Sequence, residues 1–274
     1  METEYTGPEI VPQNNLNPRN PETKTFLAYP ENPQARGNYD SDPEKAKKLE
    51  AYLENQMAAR QLLVEMVEVA TNDSPLTQEE FEQQFKLSHK VAIEGLDGNN
   101  KIRNDVSHPG EYRSNYYYSK IPDNVTSEVQ NIASNYKFDI IKRPDVVRVR
   151  RFTNPLNRDD ATGYTNADNV HNYPTGGHIK KYMRVATEIF NEYTQTDPND
   201  KDALISKAAE LHQVLTLAHP FEAGNQSLSM NLVNAMLESR NIKGISHGIT
   251  DGVALLTKPE DYQRYFKDQV NSQQ

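Results

Sequence analysis

Apolar residues recur along this chain at intervals of three and four, over stretches long enough to be helices. From Pro43 to about Ala70, Leu49, Leu53, Leu63, Met66, Val67 and Ala70 form one stripe. Ser41 and Asp42 offer N-cap oxygens, and Pro43 suits a first turn. Asn72-Asp73-Ser74-Pro75 ends the pattern. The next helix has the clearest start: Thr77 with Glu80 forms a capping box, and Leu76 with Phe81 fits a hydrophobic staple. It runs through Phe85 and Val91 to Gly95, and a turn follows at Asp97-Gly98-Asn99-Asn100.

Helical spacing resumes over His178–Tyr193 and Asp200–Ala218, where Leu204, Ala208, Leu211, Leu215 and Ala218 share one face. A further apolar helix carries Leu228, Leu232, Val233, Met236 and Leu237, and a last one covers Thr257–Val270. Between these blocks the pattern changes. Residues 109–121 are rich in tyrosine and small polar residues and predict a short hairpin. Val146–Phe152 alternates valine with arginine and predicts a strand, and Asn154–Gly177 reads as a long polar loop or insertion.

Composition narrows the classes. Residues 1–40 hold Pro8, Pro12, Pro18, Pro21, Pro30 and Pro33, out of 16 prolines in the chain, with only isolated apolar residues. Too little apolar surface is available there to offset ordering, so these residues read as a disordered or extended arm, with Phe26, Leu27 and Tyr29 as anchors. Residues 41–274 are then one domain with an insertion at about 135–176. A count of 30 Lys+Arg against 39 Asp+Glu gives a net charge of -9, which opposes nucleic acid and anionic membrane surfaces. No run approaches the roughly 18 apolar residues of a membrane span, and Met1-Glu2-Thr3-Glu4-Tyr5 does not open a signal peptide. The expected location is the cytoplasm, or outside the cell by a route without a cleaved signal, as for a secreted effector. With no cysteine, thiolate metal sites and a cysteine nucleophile are excluded.

The junction His219-Pro220-Phe221-Glu222-Ala223-Gly224-Asn225-Gln226-Ser227 sets an imidazole and a Gly-Asn turn between two apolar helices. An imidazole beside a helix start places a base next to an anion-attracting terminus. This stretch resembles the signature of the Fic family, His-x-Phe-x-Asp/Glu-Gly-Asn-Gly-Arg followed by a second Arg, at His219, Phe221, Gly224 and Asn225. Upstream, Gly110-Glu111-Tyr112-Arg113 and the tyrosines after it resemble the family's hairpin, the flap. The resemblance implies a mainly α fold: a Fic-like helical bundle with a β-hairpin flap and a small β insertion.

It also implies roles. His219 would be the general base for a target hydroxyl, and Phe221 the loop anchor. Gly224, Asn225, Gln226 and Ser227 would face the donor's anionic group, and Tyr112, Arg113, Tyr116, Tyr117 and Tyr118 would dock a protein target. The implied activity is transfer of an AMP-like or other phosphate-linked group from a nucleotide-type donor such as ATP to a protein hydroxyl. The departures bear on chemistry. Ala223 stands where the family has the acid that helps hold magnesium, so no metal site is expected, and Glu222 lies one residue early. Gln226, Ser227 and Met230 replace the glycine and both arginines, and a serine hydroxyl does not supply a bidentate, charge-assisted clamp. Arg113 and the cluster Arg148, Arg150 and Arg151 are candidate substitutes. Two readings stand: a transferase with an atypical donor site, and a catalytically inactive Fic-like scaffold that binds a protein partner.

Overall fold

In a computed structural model the structure describes residues 26–27, 43–98, 106–114, 117–141, 164–165, 170–174 and 176–273. The helices are α1 (Pro43–Asn72), α2 (Gln78–Glu94), α3 (Asp123–Tyr136), α4 (Gly176–Gln195), α5 (Lys201–Ala218), α6 (Asn225–Glu238), α7 (Thr250–Leu256) and α8 (Pro259–Gln273). Three short strands, β1 (Tyr117–Lys120), β2 (Tyr164–Thr165) and β3 (Val170–Tyr173), form a sheet in the order β1-β3-β2. The architecture is mainly α, with α5 at its centre against α4, α6 and α8.

The local signals act as written in the sequence. Thr77 Oγ1 accepts the Glu80 N–H (3.2 Å) while Glu80 Oε2 accepts the Thr77 N–H (2.8 Å), and Gly95 caps the far end of α2 at φ 76°. Asp200 caps α5 by accepting the Ala203 N–H. Helix α5 buries Leu204, Ala208, Leu211, Leu215 and Ala218, and α6 is buried from Ser227 to Leu237 on every side. A helix surrounded in this way must satisfy its polar side chains internally. On α6 several of them do so against α1 and the segment before α7, and Ser229 donates to the helix's own backbone. Ser227 bonds Tyr52 (3.0 Å), Asn231 bonds Gln56 (3.3 Å), and Glu238 pairs with Arg60. Residues 52, 56 and 60 stand four apart, so one face of α1 carries the whole ladder. Leu27 lies fully buried with Leu49, Tyr52 and Leu53, and Arg60 lies over the Phe26 ring. The rest of the expected arm lies outside the described residues.

Two expectations change. Of the hairpin expected within 109–121, among the described residues only Tyr117–Lys120 is a strand, and its partner is β3, with Tyr117 opposite Tyr173 and Lys120 opposite Val170. The pairing comes from the stretch 135–176, which also supplies β2. Helix α3 was not expected, although Val125, Val129, Ile132, Ala133 and Tyr136 recur at intervals of three and four; Val125, Thr126, Val129 and Ala133 are its buried residues. The strand expected at Val146–Phe152 lies outside the described residues. Among the described residues no helix is long and apolar enough to cross a membrane.

Asn234 holds the chain after α6 in place: its Oδ1 accepts the Ile245 N–H (2.9 Å) and its Nδ2 donates to the Ile245 carbonyl (2.8 Å). Asn234→Ala leaves both buried backbone groups without these partners and should cost about 2–4 kcal/mol, read as a lower urea midpoint at unchanged slope.

Candidate functional site

Helix α5 ends at His219, whose backbone takes the left-handed conformation at φ 41° and ψ 59° and turns the chain back toward α6. The loop from Pro220 to Gly224 is closed by Asn225. Its Oδ1 accepts the Phe221 N–H (2.8 Å), and its Nδ2 donates to the Phe221 carbonyl (2.9 Å). One side chain therefore mimics a strand pairing across the turn. Phe221 is fully buried, its ring 3.8 Å from His89, 5.3 Å from Tyr112 and 5.6 Å from Phe85. Burial of one such ring is worth roughly 2–3 kcal/mol, which fixes the loop to α2.

Arg113 reaches the same loop. Its Nε donates to the His219 carbonyl (2.6 Å), its Nη2 to the Ala218 carbonyl (3.2 Å), and its backbone N–H to the Pro220 carbonyl (2.9 Å). A guanidinium on the last carbonyls of a helix satisfies groups that have no intrahelical donor and opposes the negative end of the helix dipole. Burial lowers the Arg113 pKa to about 10, so it stays charged at neutral pH. The cation expected to replace the missing clamp thus arrives at the loop and binds backbone.

The His219 ring is only 5% exposed as a residue and lies against two tyrosines of the sheet, 5.2 Å from Tyr117 and 4.1 Å from Tyr173. Burial, with the positive Arg113 nearby, pushes its pKa down to about 3, against the opposing pull of Asp251. At neutral pH the imidazole is uncharged and a very weak base.

The remaining motif positions separate into two groups. Gly224 is left-handed at φ 75°, and a Cβ there would come to 3.3 Å from Ile93 Cδ1, so a glycine permits the turn to sit on α2. Ser227 is buried and hydrogen-bonded to Tyr52, and Met230 lies fully in the core, while Gln226 is half-buried in the first turn of α6. Glu222 faces away from Ala223: Oε2 accepts the Ser107 N–H (2.6 Å) and Oε1 lies 3.7 Å from His108. Among the described residues no group of three His, Asp or Glu is arranged to hold a metal ion. Tyr112 packs on Phe221 with Lys86 Nζ 4.3 Å from its ring centre, and Tyr117 stacks on His219. Tyr116 and the cluster Arg148, Arg150 and Arg151 lie outside the described residues, and of Tyr118 only its place in β1 is described.

The sequence reading missed His89, Tyr173 and Asp251. His89 sits on the buried face of α2 with Phe85, a periodicity signal that was present but reads equally as core. Tyr173 comes from the stretch read as a loop. Asp251 is fully buried on α7 between His212 (3.4 Å) and His247 (3.8 Å), and these two histidines hold its carboxyl well below the usual range, overriding the cost of burial.

The His219 shift has a measurable sign. The unfolded pKa of about 6.5 exceeds the folded one, so the unfolded chain binds more protons between the two values. The stability present above about pH 6.5 is lost progressively as pH falls toward 3. The expected loss from this group at pH 5 is about 2 kcal/mol. His219→Gln removes it, so the difference in urea stability between pH 7 and pH 5 should shrink by that amount; an unchanged difference would contradict the buried neutral state.

The chain is similar in structure to two solved Fic proteins. One is a Fic domain containing signaling protein from Bacteroides thetaiotaomicron, at 14% identity and TM-score 0.49, covering 94% of this chain and 80% of that one. The other is a Fic family protein from Desulfovibrio desulfuricans, at 14% identity and TM-score 0.39, covering 82% of this chain and 53% of that one. No family model matches the sequence, and no curated protein matches it.

Proposed function

We propose that this chain is a Fic-like scaffold that binds an extended segment of a protein partner, with its signature loop serving architecture in place of nucleotide transfer. The observation that carries this reading is the state of His219. A general base works when its pKa lies near the operating pH and its nitrogen reaches the target hydroxyl. Here the ring is buried against Tyr117 and Tyr173, with its pKa pushed down to about 3. The other motif positions support the same reading. Asn225 closes the loop on Phe221, Arg113 is bonded to loop carbonyls, and Ser227 is bonded to Tyr52.

The binding surface is supported by sheet order. In β1-β3-β2, β1 lies at an edge, and among the described residues it pairs with β3 alone. An edge strand offers backbone N–H and C=O groups to an extended segment, and addition of one more strand satisfies them.

Transfer of a phosphate-linked group from a nucleotide-type donor is the second reading, favoured by the retained imidazole one loop away from the start of α6. First-turn amides there attract an anion. It requires the His219 ring to leave the tyrosines and its pKa to rise by several units.

Incubation with labelled ATP, GTP, CTP and UTP in lysate, with and without magnesium, separates the two. The scaffold reading expects no protein labelling and no thermal shift from any of the four nucleotides. Labelling that disappears in His219→Ala would overturn it in favour of transfer.

A further inference from the structure

His89 has a geometry that neither the motif nor the docking surface accounts for. It is fully buried on α2 and makes one hydrogen bond from each ring nitrogen to a different loop. Nε2 lies 2.9 Å from the Ala223 carbonyl oxygen, in the signature loop. Nδ1 lies 2.9 Å from the backbone nitrogen of Gly110, at the base of the segment leading to β1. A carbonyl only accepts and an amide N–H only donates, so the ring must carry its proton on Nε2 and keep a lone pair on Nδ1. Only one of the ring's three protonation forms satisfies both neighbours.

The surroundings are built to that ring. It stacks on Phe221 at 3.8 Å and 6° between planes. The two loops approach α2 through left-handed glycines. At Gly110, φ 81°, an added Cβ would lie 3.1 Å from the Lys86 carbonyl oxygen and 3.2 Å from Lys90 Cβ. At Gly224, φ 75°, it would lie 3.3 Å from Ile93 Cδ1 and 3.8 Å from the His89 ring. Neither loop could come within hydrogen-bond reach of the imidazole so easily if these residues carried side chains. The same loop pair is joined again by Arg113 and by Glu222 with Ser107.

We propose that His89, as its Nε2–H tautomer, is a positioning residue that joins the signature loop to the segment entering β1, adding to the hold that Arg113 and Glu222 exert on the same two segments. Its neutral state is consistent with burial, which lowers its pKa to about 4 against the opposing effects of the Ala223 bond and Glu222. The consequence for partner binding rests on the docking reading above; the joint itself does not.

Two variants and one spectrum test it without a partner. His89→Phe keeps a ring against Phe221 and removes both hydrogen bonds. His89→Gln offers an amide N–H for Ala223 and an amide oxygen for Gly110. Amide exchange followed by NMR should show Gly110 exchanging roughly tenfold faster in His89→Phe, with faster exchange across Tyr117–Lys120. The rates should be largely restored in His89→Gln, while core amides at Ile189 and Leu232 stay unchanged in both. Unaltered exchange at Gly110 in His89→Phe would overturn the proposal, as would loosening that the Gln variant does not reverse. If neither variant folds, the nitrogen-15 shifts of His89 in the intact protein at neutral pH decide: a protonated Nε2 with a bare Nδ1 supports the joint, and the opposite tautomer or the imidazolium rejects it. A failure of the docking reading leaves every one of these readouts in place.

Discussion

Helix α5 ends inside the protein, where the carbonyls of Ala218 and His219 have no intrahelical donor. Arg113 donates to both, and its own backbone N–H goes to the Pro220 carbonyl. Because the guanidinium is rigid and its donors diverge, these bonds fix the left-handed turn at His219 and the position of residues 106–114 together. With the turn set, Phe221 enters its ring cluster, Asn225 closes the loop, and α6 starts in a direction that lets its buried face meet α1. A chain with an unpaired helix terminus at this depth would lose several kcal/mol or unwind the last turn.

The same turn decides where the His219 ring lies. The ring is buried in the packing between α5 and the sheet, and its pKa is pushed down to about 3. The tyrosines of β1 and β3 lie against its ring, and the positive charge that serves the α5 carbonyls also lowers its basicity. A cation that satisfies a buried helix end and a nearby imidazole that would take up a proton oppose each other here. On α6, where the family resemblance would put a cationic clamp, Ser227 and Met230 face α1 and the core. The polar ladder Tyr52–Ser227, Gln56–Asn231 and Arg60–Glu238 occupies the interface between α1 and α6.

Six helices could be read in advance because helical amphipathicity is local. Thr77 and Glu80 form the capping box that their spacing announces, and the apolar sets of α5 and α6 are buried as their periodicity requires. Helix α3 carries the same signal, with Val125, Val129, Ile132, Ala133 and Tyr136 at intervals of three and four, and was legible though not expected, whereas the seven residues of α7 are too few to show a period. The sheet was misread for a different reason. A hairpin is a local feature and can be inferred from adjacent residues, but β1 pairs with a strand some fifty residues further on, and no property of residues 109–121 names that partner.

His219-Pro220-Phe221 with Gly224-Asn225 was legible as a loop between two buried helices, since turn chemistry and helix stripes depend on neighbours in the chain. Tertiary structure alone decided what surrounds that loop. Whether an imidazole acts as a base depends on its exposure and nearby charge, and those come from Tyr117, Tyr173, Arg113 and Asp251, on four other segments. Whether Arg113 serves a ligand or a helix end likewise depends on distances that only the folded chain creates. Sequence therefore determined the elements and the residues at their junctions, because short-range sterics and periodicity are written there. The fold determined what those residues can do, because burial and electrostatics sum over parts of the chain that sequence order leaves far apart.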